Sequence, residues 1–208
     1  GIGDDHPSPN VLKGPDGKLD GTLIESGGLA CVLPAVPDLM NITKDKISSI
    51  LPLFYAGGHT TVCDAMLGSL GVRRSISTYQ DLFSDPQVKL RIVGLPLWSM
   101  GILETGSLDN FIQLYQEAKA GSFDKFRIGA VKLYIDGSII SRTTPLGWPG
   151  YWDGSPEGHM AQKPEEMKEF IARFHEAGIQ TITHVNTAAG FQTILDGVKE
   201  GQGRFYRS

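Results

Sequence analysis

Cysteines, long apolar runs and an excess of either charge are all scarce in this sequence. Two cysteines in 208 residues, Cys31 and Cys63, are too few for a disulfide framework and lack the spacing of a metal site. We expect both to be reduced, buried thiols in a reducing compartment, which favours a cytoplasmic location. No apolar stretch is long enough to cross a bilayer, so no membrane association is expected.

The balance of charge argues against a nucleic-acid-binding protein. The sequence has 19 basic and 23 acidic residues and a net charge of −4, and the charges are spread along the chain. Because nucleic-acid binding usually requires a basic patch, no nucleic-acid partner is expected. A hydrophobic content of 40% supports a packed core. The start at Gly1-Ile2-Gly3, without methionine, resembles a cut end, so we expect a fragment of a longer protein or a truncated product.

One short segment carries the most informative pattern in the sequence. Residues 131–138 read Val-Lys-Leu-Tyr-Ile-Asp-Gly-Ser, and this β-branched and aromatic run before an Asp-Gly turn predicts a short strand. Side chains alternate along a strand, so Lys132, Tyr134 and Asp136 are expected on one face and apolar side chains on the other. In a strand packed on both sides, Lys132 needs a partner, a lowered pKa or a modification. The alternative is an edge strand with Lys132 in solvent.

A connection of about 25 residues follows this strand. Connections of this length inside compact domains are usually lids, binding loops or disordered segments, and Trp148, Tyr151 and Trp152 argue against disorder. We therefore predict an ordered loop over the end of the strand that carries Lys132. Its aromatic side chains indicate an apolar or aromatic group on the substrate.

Helices and strands alternate over residues 44–208. Helices are predicted at 44–57, 77–84, 107–120 and 165–177, and strands at 59–64, 89–97, 128–135 and 179–184. The strand ends recur about every 35 residues, the period of a βα unit, with a longer last interval that contains the loop. The pattern predicts an α/β fold with a parallel sheet, either part of a (β/α)8 TIM barrel or an open doubly wound sheet.

The barrel is the preferred interpretation, because no glycine-rich phosphate loop follows any strand. Residues 1–43 are predicted as a loop-rich lead-in, and the turn residues in its first part indicate either a loop or a small hairpin. His59, at the amino-terminal end of its strand, is expected to be structural. Asp64 either faces the site or caps the next segment. His184 ends the last strand, where a histidine is either structural or a ligand.

Residues 131–138, followed by Ser141-Arg142-Thr143 and Leu146, resemble the V-K-L-x-x-D-G-S-x-x-S-R-T-A-x-L signature of amidohydrolase family 3. This family contains metal-dependent hydrolases similar to N-substituted formamide deformylase. Residues 58–64 resemble its G-I-T-T-V-x-D segment, with His59 in place of isoleucine. Two departures stand out. Thr144 replaces the usual alanine, and the Gly-Asp pair that follows the histidine in the family is absent after His184.

The resemblance implies a metal site. Lys132 would lie on the fourth barrel strand and, when carboxylated, bridge two divalent metals, while His184 would bind one of them. Carboxylate oxygens and neutral imidazole suit zinc, which is the expected cofactor. The family's H-x-H pair, its later histidine and its aspartate lie outside these 208 residues. By their spacing, His6, His59, His159 and His175 do not replace them.

The predicted substrate-binding residues are Asp136, Ser138, Arg142 and Trp148, which lie at or beyond the end of the strand that carries Lys132. No residue is predicted as the catalytic acid or base. Residues 1–208 are interpreted as a partial catalytic barrel domain, with the lead-in at 1–43 and successive βα units at 44–208. The predicted substrate is a small amide-type molecule.

The predicted function is that of the central part of a metal-dependent amidohydrolase, which hydrolyses an amide or related C–N bond with metal-activated water. One alternative is a truncated, non-catalytic chain. Another is a metal-independent barrel enzyme in which Lys132 is a Schiff-base or general-base lysine. Because four or five strands alone leave two open sheet edges, we expect the isolated chain to associate, and a homo-oligomer is one form of such association.

Overall fold

The computed structural model describes residues 2–36, 41–155 and 158–206. For Ser26, within the first range, it describes the backbone alone. Gly1 and residues 37–40, 156–157 and 207–208 lie outside this description, so the predicted lead-in at 1–43 is seen only in part. It contains an antiparallel hairpin of β1 (Val11–Lys13) and β2 (Leu19–Leu23). The helix α1 (Glu25–Val32) and one turn of 3-10 helix (Leu33–Ala35) follow. Of the two alternatives expected for this region, a loop or a small hairpin, the structure shows the hairpin.

Five short strands form the parallel part of the fold. These are β3 (Thr61–Leu67), β4 (Arg91–Pro96), β5 (Phe126–Ile128), β6 (Val131–Tyr134) and β7 (Thr181–His184). β4 pairs in parallel with β3 and with β5, and β6 pairs in parallel with β7. A parallel bridge between Leu97 and Lys132 joins the two groups. The strands are therefore neighbours in the order in which the chain makes them.

Helices alternate with these strands. They are α2 (Lys44–Ala56), α3 (Val72–Leu82), α4 (Trp98–Thr105), α5 (Leu108–Ala120), α6 (Pro164–Glu176) and α7 (Ala188–Arg204). The α/β class and the parallel pairing predicted from the sequence are confirmed. No helix within the described ranges is long and apolar enough to span a membrane.

The core lies between the strands and the helices. Alternate residues of β6 and its continuation, Val131, Leu133 and Ile135, are fully buried in the same cluster as Met167 and Phe174 of α6. The intervening residues Lys132 and Tyr134 point the other way and are only half-buried. The strand thus has one closed, apolar face and one open face.

Close packing of α6 and α7 fixes the position of the segment after β7. A Cβ atom at Gly197 would lie 3.1 Å from the Lys168 Cα, and one at Gly201 would lie 3.3 Å from the Ala172 Cα. Larger side chains at these two positions would push the helices apart, because the atoms they meet belong to backbone. The glycines therefore hold α7, and the β7–α7 junction before it, close to α6.

Candidate functional site

The candidate site consists of Lys132, the second of the four residues of β6, and His184, the last residue of β7. In the ladder Lys132 is paired with Ile182, and Tyr134 with His184. Paired residues of neighbouring strands point to the same face, so Lys132 and His184 share the open face of the sheet. With strands about 4.8 Å apart and about 3.3 Å per residue, their Cα atoms are separated by roughly 8 Å. Two long side chains at that separation can approach one ligand.

Lys132 lies inside the sheet. Its backbone pairs with Ile182 on one side and with Leu97 on the other, so the alternative of an edge strand is wrong. Burial lowers the pKa of the Lys132 ammonium, and the nearby Cys63 thiol opposes this shift. The cause is desolvation, because a half-buried site disfavours the charged amine. A larger fraction of Lys132 is therefore the neutral amine than for a lysine in water.

Cys63 lies on the open face of β3, two positions after Thr61 and two before Ala65, and all three residues are exposed. The expectation of two buried thiols is wrong, since Cys31 is only half-buried and Cys63 is exposed. Burial and the Asp64 carboxylate raise the pKa of the Cys63 thiol, against the effect of Lys132. The alternation along β3 is the signal by which the sequence could have placed Cys63 on this face.

Asp64 points to the helices and not to the open face. Its carboxylate accepts a hydrogen bond from the Tyr79 hydroxyl at 3.0 Å and one from the Met66 backbone N–H at 3.1 Å. Neither expected role, in the site or as a helix cap, is found. The amino terminus of α3 is instead capped by Glu104, which accepts from the Val72 N–H at 2.6 Å.

His184 is held by one ring nitrogen. Its Nε2 lies 3.0 Å from the Gly137 carbonyl oxygen and 3.8 Å from Asp136 Oδ1. The Asn186 amide nitrogen also lies 3.0 Å from Nε2 and donates to the same carbonyl at 2.7 Å. The Gly137 carbonyl accepts from a protonated Nε2, whereas the Asn186 amide donates to an unprotonated one, so these contacts fit either tautomer. In the tautomer with its proton on Nε2, Nδ1 carries the lone pair that a metal ion requires.

Asp136 holds the segment that follows His184 through hydrogen bonds. Its side chain is fully buried, and its carboxylate accepts the backbone N–H groups of Asn186 and Thr187 at 2.9 Å. It also accepts the Thr187 hydroxyl at 2.9 Å. The Thr187 hydroxyl in turn caps α7 by accepting the Gly190 N–H at 2.9 Å. Asp136 thus faces the β7–α7 junction, and its substrate-binding role stays a prediction.

Asn186 and Thr187 were not identified from the sequence as part of the site. They occupy the segment in which the expected Gly-Asp pair is missing. The cap pattern of Thr187 three residues before Gly190 was the one available signal for this junction. The hydrogen bonds that Asp136 accepts from this segment join sequence positions about 50 residues apart, which no local pattern reveals.

The loop after β6 is ordered in its described parts, residues 135–155 and 158–163. The Ile135 carbonyl accepts the Ala161 N–H at 2.9 Å, which ties the two ends of the loop together. The Ser138 N–H donates to the Thr143 hydroxyl at 2.9 Å, and Arg142 forms an ion pair with Asp153. The described parts of the loop are held by hydrogen bonds and an ion pair, as expected of an ordered loop, and its position over the end of the strand stays a prediction.

The remaining predicted substrate-binding residues differ in exposure. Ser138 lies at the base of the loop, where its hydroxyl accepts the Ser141 N–H at 3.3 Å. Arg142 is half exposed, and hydrogen bonds from Ser155, with the charge of Arg142, lower the pKa of Asp153. Trp148 is almost wholly exposed. These residues follow the carboxyl end of β6 in the chain, and the loop does not join them in one cluster with Lys132.

Two other histidines, His59 and His175, lie away from this end. His59 packs edge-on against Phe54 before β3, as expected for a structural residue. In α6, His175 lies with Nε2 2.7 Å from the Phe205 carbonyl oxygen. Over residues 2–36, 41–155 and 158–206, no three His, Cys, Asp or Glu side chains form a group that could hold a metal ion. The described chain thus offers two candidate donors, Lys132 and His184.

Comparison with known proteins shows the fold. An uncharacterized metal-dependent hydrolase from Pyrococcus furiosus matches 95% of this chain and 39% of its own, with a TM-score of 0.64 and 19% identity. An uncharacterized metal-dependent hydrolase from Pyrococcus horikoshii OT3 matches 93% of this chain and 37% of its own, with a TM-score of 0.60 and 15% identity. The chain shares the fold of part of these hydrolases and spans less than half the length of either.

No protein-family model matches the chain, and no match was found among curated proteins.

Proposed function

We propose that this chain is part of a (β/α)8 TIM barrel of a metal-dependent hydrolase related to amidohydrolase family 3. Its substrate in this proposal is a small molecule with an amide or related C–N bond. The observation that carries the proposal is the pairing of the Lys132 and His184 strands, with both side chains on one face and His184 at the carboxyl end of its strand. Barrel enzymes hold their catalytic groups at that end.

The order of the strands supports a barrel over a doubly wound sheet. A doubly wound sheet reverses its strand order at a switch point, where ligands bind. Here β3, β4, the β5–β6 segment and β7 follow one another without reversal. The packed helices lie on one face, as in a barrel, and the face that carries Lys132 is open.

Lys132 is suited to carboxylation. In that reaction the neutral amine attacks carbon dioxide, an N–C bond forms, and the nitrogen releases a proton to solvent. The product is a carbamate with two oxygen donors and a negative charge. Desolvation of Lys132 favours the neutral amine that this step needs. The carbamate would place hard oxygen ligands on a face that otherwise presents an ammonium group.

His184 is suited to hold a metal through Nδ1. In this proposal Nε2 carries the proton and donates it to the Gly137 carbonyl at 3.0 Å, which would fix the ring and leave Nδ1 as the ligand atom. Asp136 holds the β7–α7 junction that carries Asn186, so it positions His184 indirectly. Zinc at this place would polarise the substrate carbonyl and lower the pKa of water. Catalytic zinc sites use about three protein ligands, so further donors must come from outside the described residues.

A second candidate function also uses the lowered pKa of Lys132. A neutral lysine in a barrel can attack a carbonyl carbon and form a Schiff base with loss of water. Borohydride reduction in the presence of a carbonyl substrate traps such an adduct, and mass spectrometry would locate it on Lys132. A trapped adduct that forms without any metal would favour this enzyme class over the hydrolase.

Zinc affinity tests the hydrolase proposal. In a full-length protein that supplies the further donors, we expect Lys132→Ala and His184→Ala each to weaken zinc binding at least about tenfold, because each removes a donor. Equilibrium dialysis followed by elemental analysis measures the bound zinc. A carbamate signal in carbon-13 NMR after addition of labelled bicarbonate, lost in Lys132→Ala, would report the modification independently.

His59→Ala is the matched control, since His59 is an exposed histidine at the opposite end of its strand. Its zinc affinity should equal that of the unchanged protein. If Lys132→Ala and His184→Ala also bind zinc as the unchanged protein does, the proposed metal site is wrong.

A further inference from the structure

The three tryptophans of this chain differ sharply in exposure. Trp98 is 2% exposed, whereas Trp148 is 96% and Trp152 is 94% exposed. Both exposed indoles belong to residues 144–153, which we call the tryptophan loop. A folded protein usually buries most of an indole, since its large apolar area makes exposure to water unfavourable. Two nearly free indoles in one loop therefore offer an apolar surface for binding a ligand.

The tryptophan loop is braced from below. Tyr151, between the two indoles, is buried, and its hydroxyl donates to the Thr144 carbonyl at 2.9 Å. Asp153 pairs with Arg142, and it accepts the Ser155 N–H at 3.1 Å. These contacts hold the backbone on both sides of Trp152. The outward position of the indoles is thus set by the fold of the loop.

The chemistry of the tryptophan loop is apolar. From residue 145 to residue 150 the sequence is Pro-Leu-Gly-Trp-Pro-Gly, without one polar side chain. Thr144 is fully buried, and the charges of Arg142 and Asp153 are paired with each other. A sugar or a charged group would need hydrogen-bond partners from side chains, which this stretch lacks. An aromatic ring or an aliphatic chain needs only the faces of the two indoles.

The tryptophan loop starts from the end of the sheet that carries the candidate site. It is joined to β6 by residues 135–143, and these include Gly137, whose carbonyl is the hydrogen-bond partner of His184. A small molecule with its reactive bond near Lys132 and His184 would therefore extend its other end along this loop. Loops at the carboxyl ends of strands supply substrate contacts in barrel enzymes.

We propose that Trp148 and Trp152 together bind the aromatic or aliphatic substituent of the amide substrate. The identity of the ligand as an amide rests on the proposed hydrolase function, whereas its apolar character rests on the tryptophan loop alone. Trp152 is thereby added to the residues that contact the substrate. The loop selects substrates by the size of their apolar group, and the amide itself is recognised elsewhere.

Two ligands that share one amide and differ in their apolar group test this proposal. N-Benzylacetamide and N-methylacetamide are titrated into nitrogen-15-labelled protein without zinc, and the three indole N–H signals are followed by NMR. We expect the Trp148 and Trp152 signals to move and the buried Trp98 signal to stay. The benzyl compound should bind about tenfold more tightly than the methyl compound, because only its ring covers the indoles.

Substitutions define the source of that preference. Trp148→Ala and Trp152→Ala should each reduce the preference to about twofold or less, and Trp148→Phe should retain part of it. Tyr206→Ala is the matched control, since Tyr206 is an aromatic residue 83% exposed at the other end of α7. It should keep the full preference, and unchanged melting curves would show that every variant is folded.

Equal affinity for the two compounds, or a preference that persists in both alanine variants, would overturn the proposal. The result is distinguishable from failure of the metal site. Lys132→Ala should keep the benzyl preference, because the tryptophan loop does not include Lys132. If zinc binding proves independent of Lys132 and His184 while the indole signals still move, only the hydrolase assignment fails.

Discussion

The two faces of the strand β6 differ in burial and in the kind of side chain that they carry. On the closed face, Val131, Leu133 and Ile135 are wholly buried against the helices. On the open face, Lys132 and Tyr134 are half-buried beside the exposed residues Ile182 and His184 of β7. The closed face stabilises the fold by removing apolar area from water. The open face contributes little to that burial and instead carries every candidate donor.

This difference shows how one short strand serves two purposes. Because side chains alternate, each residue of β6 is committed to one face, and a change at one position leaves the other face in place. Stability and chemistry are therefore separable in this part of the molecule. The three predictions that follow test how complete that separation is.

The largest change in stability is expected from truncating a buried isoleucine on the closed face, compared with truncating an exposed isoleucine on the open face. Ile135, just after β6, is 0% exposed, and Ile182 on the open face of β7 is 43% exposed. Ile135→Ala should lower the free energy of unfolding by about 3 kcal/mol, from lost burial and a cavity, and Ile182→Ala by less than about 1 kcal/mol. Urea unfolding followed by circular dichroism measures both. Equal losses would mean that the open face is covered in solution.

A polar pair on the closed face gives the second prediction. The Tyr79 hydroxyl donates to the Asp64 carboxylate at 3.0 Å, and burial followed by the charge of Asp64 raises the pKa of Tyr79. Tyr79→Phe should cost about 1 kcal/mol near neutral pH, the usual net value of one hydrogen bond. The measurement is the free energy of unfolding as a function of pH.

The sign of the pH effect follows from the raised pKa. An unfolded tyrosine loses its proton near pH 10, while folded Tyr79 keeps it, so stability falls as the pH rises above about 10. Tyr79→Phe lacks this group, so its stability should fall less steeply over the same alkaline range. Parallel curves for the two proteins would contradict the burial and hydrogen bonding of Tyr79.

The smallest effect concerns a buried hydroxyl in the tryptophan loop. Among the described residues the Thr144 hydroxyl has no hydrogen-bond partner, although the residue is wholly buried. Thr144→Val replaces this hydroxyl by a methyl group of similar size and should raise the unfolding free energy by up to about 1 kcal/mol. This is the position at which amidohydrolase family 3 usually has alanine.

Thr143→Val is the matched control for this substitution. The Thr143 hydroxyl accepts the Ser138 N–H at 2.9 Å and also bonds to the Glu25 carboxylate. Its removal should therefore destabilise the protein by about 1 kcal/mol. Differential scanning calorimetry compares the two variants, and a loss of stability in both would indicate that Thr144 has a partner in solution.

Much of the secondary structure could be predicted, since local pattern determines it. The helices predicted at 44–57, 107–120 and 165–177 lie within one residue of α2, α5 and α6. Two of these have a capping side chain, Thr43 or Ser107, that marks the start in the sequence. The four predicted strands are also found, although the third is interrupted at Gly129 and Ala130.

The errors have non-local causes. The helix predicted at 77–84 begins at Val72, because the cap comes from Glu104, far along the chain. The helix α7 was not predicted, since Gly197 and Gly201 lower helix propensity and are present for contact with α6. The short helix α4 also gave no clear periodicity.

The candidate site was predictable only in part. The alternation in residues 131–138 placed Lys132 on the chemical face, and the position of His184 at a strand end was correct. The same alternation grouped Asp136 with Lys132, yet Asp136 is buried beneath the β7–α7 junction because the chain turns after Tyr134. Contacts across about 50 residues, such as Asp136 with Thr187, depend on the packed fold. The metal and substrate assignments remain predictions.

The order of the strands also bears on how the sheet assembles. Each parallel strand pairs with the strand of the adjacent βα unit, so no pairing within the described chain requires closure across several units. The entropy of loop closure grows with the length enclosed, and pairings between adjacent units keep that length small. A sheet of this kind can nucleate at any unit and grow outward in both directions. Its two outer strands, β3 and β7, are then the growing ends of the structure.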